Sequence, residues 1–105
     1  SLLLSRRDLD FLLHDWLDVG ALTARERFAE HSRETFDAVL DLAEQVATER
    51  FAPHNRAADV AEPEFDGERV HMIPEVGKAL EAFAGTGILS AAMDASVGGM
   101  QLPQT

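Results

Sequence analysis

One stretch constrains the fold more than any other. After Ser32, the apolar residues Phe36, Val39, Leu40, Ala43, Val46, Ala47 and Phe51 return at helical spacing, while Glu34, Asp37, Asp41, Glu44 and Glu49 fall mostly on the other side. A helix with one apolar stripe must bury it against other elements, so this segment is the expected spine of the domain. Pro53 has no amide hydrogen and its ring crowds the carbonyl four residues back, so the helix should end or kink there. Arg56, Ala57, Ala58 and Val60 allow two further turns, and Pro63 closes that continuation.

The flanking segments supply partners for the stripe. Ser5 with Asp8 three residues on reads as a capping signal, followed by Leu9, Leu12, Leu13, Trp16 and Leu17 at helical spacing, with Gly20 as the expected terminator. Thr23 and Glu26 give a second capping signal before a short helix from Ala24 to Glu30, whose one large apolar anchor is Phe28. Pro74 suits a first helical position, Val76, Ala79, Leu80 and Phe83 form the next stripe, and Gly85 and Gly87 end it. Ile88 to Met93 reads as a buried turn or short helix, and Gly98-Gly99 opens a final loop. Between the helices, Asp66-Gly67 is a turn signal with Phe65 before it and Val70 and Met72 alternating after it. The expected fold is all-α, a small helical bundle with a short hairpin-like excursion near residues 64–73. Composition agrees: 46% of residues are hydrophobic, only 7% are aromatic, and β-branched runs are scarce.

Charge excludes whole classes of partner. Nine basic residues against nineteen acidic ones leave a net charge of -10, which repels nucleic acid and anionic membrane surfaces. It also suits the phosphates of coenzyme A or a flavin dinucleotide poorly, so such phosphates should rest on another domain. The absence of cysteine removes disulfides, thiolate zinc sites and a cysteine nucleophile, and fits a cytoplasmic location. Ser1-Leu2-Leu3-Leu4 is too short for a signal-peptide core, and no segment reaches the roughly 20 apolar residues of a membrane span. The start lacks an initiator methionine and the end is a loop with uncovered apolar residues, which reads as a piece of a longer chain.

Motifs with chemical potential are thin. His14, His31, His54 and His71 fall on separate elements with no pair of histidines four apart, so they read as solvated surface residues and no metal site is expected. Glu68-x-x-His71 matches half of a di-iron motif, but no second copy exists. Gly85-x-Gly87-x-x-Ser90 superficially matches a dinucleotide fingerprint, yet a helix precedes it where a strand is required, and a glycine cap is the better reading. The serines lack a nucleophile elbow. Nothing marks one of the many carboxylates as desolvated enough for acid or base work, and no catalytic or cofactor-binding residue is assigned within this chain.

Three stretches carry a resemblance. Glu49-Arg50-Phe51-Ala52-Pro53-His54, with Asp59 and Glu62-Pro63 behind it, resembles the second half of the long helix in the amino-terminal domain of acyl-CoA dehydrogenases. Ala82-Phe83 through Gly87-Ile88-Leu89, followed by Gly98-Gly99-Met100-Gln101-Leu102-Pro103, is similar to the family's next helix and its Gly-Gly loop ending in Leu-Pro. Arg6-Arg7-Asp8-Leu9-Asp10-Phe11-Leu12-Leu13-His14-Asp15-Trp16-Leu17 is similar to an extra helix of longer members related to methylthiopropionyl-CoA dehydrogenases. On that resemblance residues 1–22 are an extension helix and residues 23–105 the amino-terminal helical domain. Where the family often has tyrosine before Gly-Gly this chain has Val97, and where it has Pro-Glu upstream this chain has Asp94-Ala95, so the aromatic's role in the acyl pocket does not carry over.

The resemblance implies a three-domain flavoenzyme of fatty acid metabolism. A helical domain, a β domain and a helical bundle would follow one another, with FAD held mainly by the latter two. A glutamate in the last domain would take the α proton of the acyl-CoA thioester while the β hydrogen leaves as hydride to the flavin. The whole enzyme would pass electrons to an electron-transfer partner and would be a homo-oligomer. This domain would pack against its own middle and carboxy-terminal domains and line part of the acyl cavity, with Val97, Gly98 and Gly99 nearest the pocket. The competing expectation is a self-standing acidic helical module presenting an apolar groove to a partner helix.

Overall fold

In the computed structural model, which describes residues 3–105, the long stripe becomes helix α2, Arg33–Val46. Ser32 sits in extended backbone with its hydroxyl accepting the Thr35 amide at 3.4 Å, and the Thr35 hydroxyl accepts the Ser32 amide at 3.3 Å. Two of the donors that a helix start leaves open are thereby satisfied. Phe36 is buried, and Val39, Leu40, Ala43 and Val46 are half-buried along the same face. The helix then loosens into a π turn over Ala47–Phe51, tightens into a 3-10 turn over Ala52–His54, and resumes as α3, Asn55–Val60. Pro53 is the cause: its missing donor and bulky ring forbid a regular turn, and the backbone reroutes through wider and narrower ones. The continuation expected for Arg56 to Val60 exists, although Val60 itself is exposed.

Helix α1 spans Arg6–Asp10, capped by the Ser5 hydroxyl accepting the Asp8 amide at 3.3 Å. It runs on as a π turn over Phe11–Trp16, closed by the Leu17 amide donating to the Leu12 carbonyl at 2.9 Å. Gly20 does not end this helix. Asp18 does, in the left-handed conformation at φ 49°, which aspartate tolerates better than most residues. Nor does Thr23 cap a helix: its hydroxyl donates back to the Gly20 carbonyl at 2.7 Å, and the chain makes 3-10 turns over Val19–Ala24 and Glu26–Phe28. With Phe28 as its one large anchor, the segment lacks the periodic apolar face that would hold a full helix in place.

The excursion is a two-stranded antiparallel hairpin of β1, Glu64–Phe65, and β2, Val70–His71, with Glu64 opposite His71 and Phe65 opposite Val70. Helix α4, Pro74–Gly85, follows and buries Ala79, while Phe83 meets Phe51 edge-on with ring centroids 6.5 Å apart. Helix α4 thus packs on the irregular segment of the spine, as the matching stripes lead one to expect. Gly85 remains inside α4; the left-handed residue that turns the chain away is Gly87, at φ 82°. Leu80, although on the expected stripe, is half exposed.

The assembly is flat. It measures 52 × 33 × 18 Å with a radius of gyration of 17.1 Å, against about 13 Å for a compact domain of this length. Its accessible surface is 7875 Å², about 2,000 Å² above the value usual for a monomer of this mass. Among the described residues only Val19, Phe36 and Ala79 count as a buried apolar core, while Phe11, Trp16, Leu17, Phe65, Leu89, Met93 and Val97 are at least half exposed. The helical class with one small hairpin is as expected, and no helix among the described residues is long and apolar enough to cross a membrane. Ser1 and Leu2, part of the opening judged too short for a signal-peptide core, lie outside the described residues.

Candidate functional site

The Gly-Gly loop is a knot of short-range hydrogen bonds. After Gly87 a 3-10 turn covers Ile88–Ser90, and a second covers Ala95–Val97. The Val97 and Gly99 amides both donate to the Asp94 carbonyl, at 3.1 and 2.9 Å, and the Gly98 amide donates to the Ala95 carbonyl at 3.0 Å. The Gln101 amide returns to the Met93 carbonyl at 3.0 Å and the Leu102 amide to the Ala91 carbonyl at 2.9 Å, so the loop closes on its own stem. Gly98 lies at φ 84°. At Gly99 a Cβ would stand 2.1 Å from the Met93 carbonyl oxygen, a distance no side chain can occupy. The two glycines serve different needs: one supplies a backbone angle, the other leaves room.

Of the three pocket candidates, Val97 is 70% exposed, Gly98 is exposed and Gly99 is half-buried against Met93. The structure groups them in one hydrogen-bonded loop that leaves Val97 to solvent. Leu89 and Met93, earlier in the same segment, are also exposed.

Gln101 anchors the loop to a distant part of the chain. Its backbone is left-handed at φ 50°, its Oε1 accepts the Ala95 amide at 2.8 Å, and its Nε2 donates to the Arg27 carbonyl at 3.1 Å. The Gln101 carbonyl accepts from His31 Nε2 at 2.9 Å. A carbonyl can only accept, so His31 carries its proton on Nε2, and its buried Nδ1 has no partner. The His31 ring rests 5.9 Å from that of Phe36, which ties the anchor to the core. Arg27 adds an ion pair with Asp94 and a 3.4 Å hydrogen bond to the Ala92 carbonyl. Sequence reasoning missed Arg27, His31 and Gln101 as a group, because their partners lie some seventy positions away.

Behind the loop, Leu102 and Pro103 join Leu13, Val19, Phe36 and Leu40 around an apolar cavity of about 170 Å³. That is similar to the roughly 150 Å³ that holds a benzene-sized solute in an apolar interior.

The histidines divide differently from the expectation of four solvated residues. His71, on the hairpin, is 61% exposed and bonds Asp66 at 2.6 Å through Nε2. Asp66 also accepts the Glu68 and Arg69 amides at 2.8 Å each. Chiefly the Arg69 amide, then the His71 side chain and the Glu68 amide, hold its carboxyl well below the usual range, at about 2. His14 departs most: its side chain is only 7% exposed, set between α1 and α2 with Nε2 at 3.3 Å from Asp37 Oδ1. Asp10, one helical turn before His14, joins the same cluster. Gly85-x-Gly87-x-x-Ser90 lies at a helix carboxy terminus, where the Gly87 amide donates to the Ala84 carbonyl at 3.4 Å and the Thr86 hydroxyl to the Phe83 carbonyl at 2.6 Å, a capping arrangement.

No protein-family model, curated protein or solved structure matches the chain.

Proposed function

We propose that this chain serves as the amino-terminal helical domain of a flavin-dependent acyl-CoA dehydrogenase, supplying a wall of the acyl pocket and a docking face for the enzyme's other domains. The observation that carries the reading is the uncovered apolar surface. A flat domain with about 2,000 Å² of excess surface, and with Trp16 and Val97 each 70% exposed, is built to lie against something larger. The motifs behind the resemblance fall on α1, the proline-broken spine, α4 and the locked Gly-Gly loop, in chain order.

The chain's own residues do not fit a flavin phosphate site. Its net charge is -10, and its one glycine pattern of dinucleotide type caps the end of α4 instead of opening a helix toward an anion. FAD, the catalytic glutamate and the electron-transfer surface therefore belong to other parts of the proposed enzyme, and this domain's task is to shape and dry the cavity. Val97, Gly98 and Gly99 do so with their own backbone amides already satisfied, which suits an apolar acyl chain better than a polar ligand.

The apolar cavity between Leu13, Phe36, Leu40 and Pro103 favours one other reading, a self-standing module that takes a partner helix. A single experiment separates the two. The gene's complete product is purified, its visible absorbance is recorded for flavin, and reduction of a dye acceptor is followed with acyl-CoA substrates of graded length. Flavin and turnover support the dehydrogenase; a flavin-free, inactive complete product refutes it and leaves the module. Residues 1–105 alone should show neither.

A further inference from the structure

Three ligand-type side chains meet where α1 crosses α2. A carboxylate oxygen of Asp10, an imidazole nitrogen of His14 and a carboxylate oxygen of Asp37 lie within 4.8 Å of one another. Asp10 and His14 sit four residues apart, so the turn between them brings both to one face, and Asp37 comes from the opposing helix.

Two features set this group apart from an ordinary polar contact. The His14 side chain is more than nine-tenths buried and has no hydrogen-bond partner outside the group, and Asp10 Oδ1 is buried with no hydrogen bond. Buried oxygens in proteins are almost always paired, so one left open asks for a ligand. In addition, the 3.3 Å between His14 Nε2 and Asp37 Oδ1 is long for a hydrogen bond, but matches the edge of about 3.4 Å that a tetrahedron with bonds near 2.1 Å requires.

We propose that Asp10, His14 and Asp37 form a binding site for a divalent transition-metal ion of the zinc type, which clips α1 to α2. One imidazole and two carboxylates favour such an ion over calcium or magnesium, which prefer all-oxygen shells. Two carboxylates and a neutral imidazole balance its charge, and three protein ligands leave a fourth position for water. The surroundings are compatible. Arg6, whose charge also interacts with that of Asp10, spends its Nη1 on Asp41 and Glu44, and Arg33 approaches Asp37 through Oδ2 at 3.9 Å, leaving Oδ1 toward His14.

The test titrates the purified chain with Zn²⁺ by calorimetry and with Co²⁺ by visible absorption, beside the variants Asp10→Asn, His14→Gln and His71→Gln. Asp10 Oδ1 makes no hydrogen bond, so the isosteric Asp10→Asn breaks none there and isolates the ligand role even if His14→Gln destabilises the helix pair. One equivalent of ion should bind to the wild type and raise its melting temperature, about tenfold or more weaker in Asp10→Asn and His14→Gln, and unchanged in His71→Gln. X-ray absorption should show one nitrogen among oxygen ligands near 2.0–2.2 Å. Absence of a single equivalent, or binding that survives Asp10→Asn, or binding that disappears in His71→Gln, would overturn the proposal.

Discussion

Replacing Gly99 by alanine tests the Gly-Gly loop directly. The added Cβ would lie 2.1 Å from the Met93 oxygen and 2.4 Å from its carbon, so the carbonyl must retreat by about 1.3 Å to reach ordinary contact. Overpacking of this kind costs about 1–3 kcal/mol. The same carbonyl accepts the Gln101 amide at 3.0 Å, and a shift of that size breaks the bond at a further cost of about 1 kcal/mol. Gly99→Ala should therefore destabilise the chain by about 2–4 kcal/mol. Gly98→Ala meets no atom within 4 Å and suffers only from its left-handed backbone, about 1–2 kcal/mol. Gly20→Ala meets neither obstacle and should be neutral or slightly stabilising, within about 1 kcal/mol. Urea denaturation followed by circular dichroism ranks the three. If Gly99→Ala unfolds at the same midpoint as Gly20→Ala, the close approach of Gly99 to Met93 is not a feature of the folded protein.

Phe36→Ala empties the most buried aromatic position and should cost about 3 kcal/mol or more, exceeding Phe83→Ala; equal urea midpoints for the two would contradict the placement of the core. Trp16 is the chain's one tryptophan and is 70% exposed, so its emission should be that of a solvated indole in dilute solution and shift to the blue as concentration promotes association. An emission already blue and independent of dilution would mean that Trp16 is covered. The depressed carboxyl of Asp66 makes the hairpin acid-sensitive. Its contribution to stability is complete above the unfolded carboxyl's value, near 4, and is lost as the pH falls through about 2. A carboxyl carbon resonance of Asp66 titrating near 4 in the folded chain would rule out this hydrogen-bonded turn.

Much of the fold was legible because it is written locally. Ser5, Ser32, Pro74 and Asp66-Gly67 act on residues within one turn of themselves, and each does in the structure what its neighbours imply. The errors also have a local cause. Asp18 outcompetes Gly20 as the terminator because a left-handed aspartate leaves no stronger mark on a sequence than any solvated acid. Thr23 precedes a glutamate at capping distance, but the segment after it lacks the apolar face that would reward a helix. Asp37, which reads as an exposed acid on the far side of α2, faces His14 instead. Periodicity also cannot say whether a stripe is covered, and Leu80 and Val60 lie on good stripes yet remain exposed. At the candidate site the paired glycines were visible and their distinct roles were not, since those depend on Met93 folding back over Gly99.

The attachment of Gln101 to Arg27 and His31 has a consequence for how the molecule opens. Among the described residues, beside the α1–α2 crossing and the contact of α4 with the spine, these bonds and the contacts of Arg27 with Asp94 and Ala92 tie the end of the chain to its first third. Together they secure a final segment whose backbone-to-backbone hydrogen bonds are internal, so that segment can detach as a unit while α2 and α4 stay formed. Amide exchange should reflect this division. Gly98, Gly99 and Gln101 should exchange together, through an opening much less costly than global unfolding, and that opening also removes Leu102 and Pro103 from the apolar cavity. Arg27, His31 and Gln101 together thus set how long Leu102 and Pro103 stay as one wall of that apolar pocket.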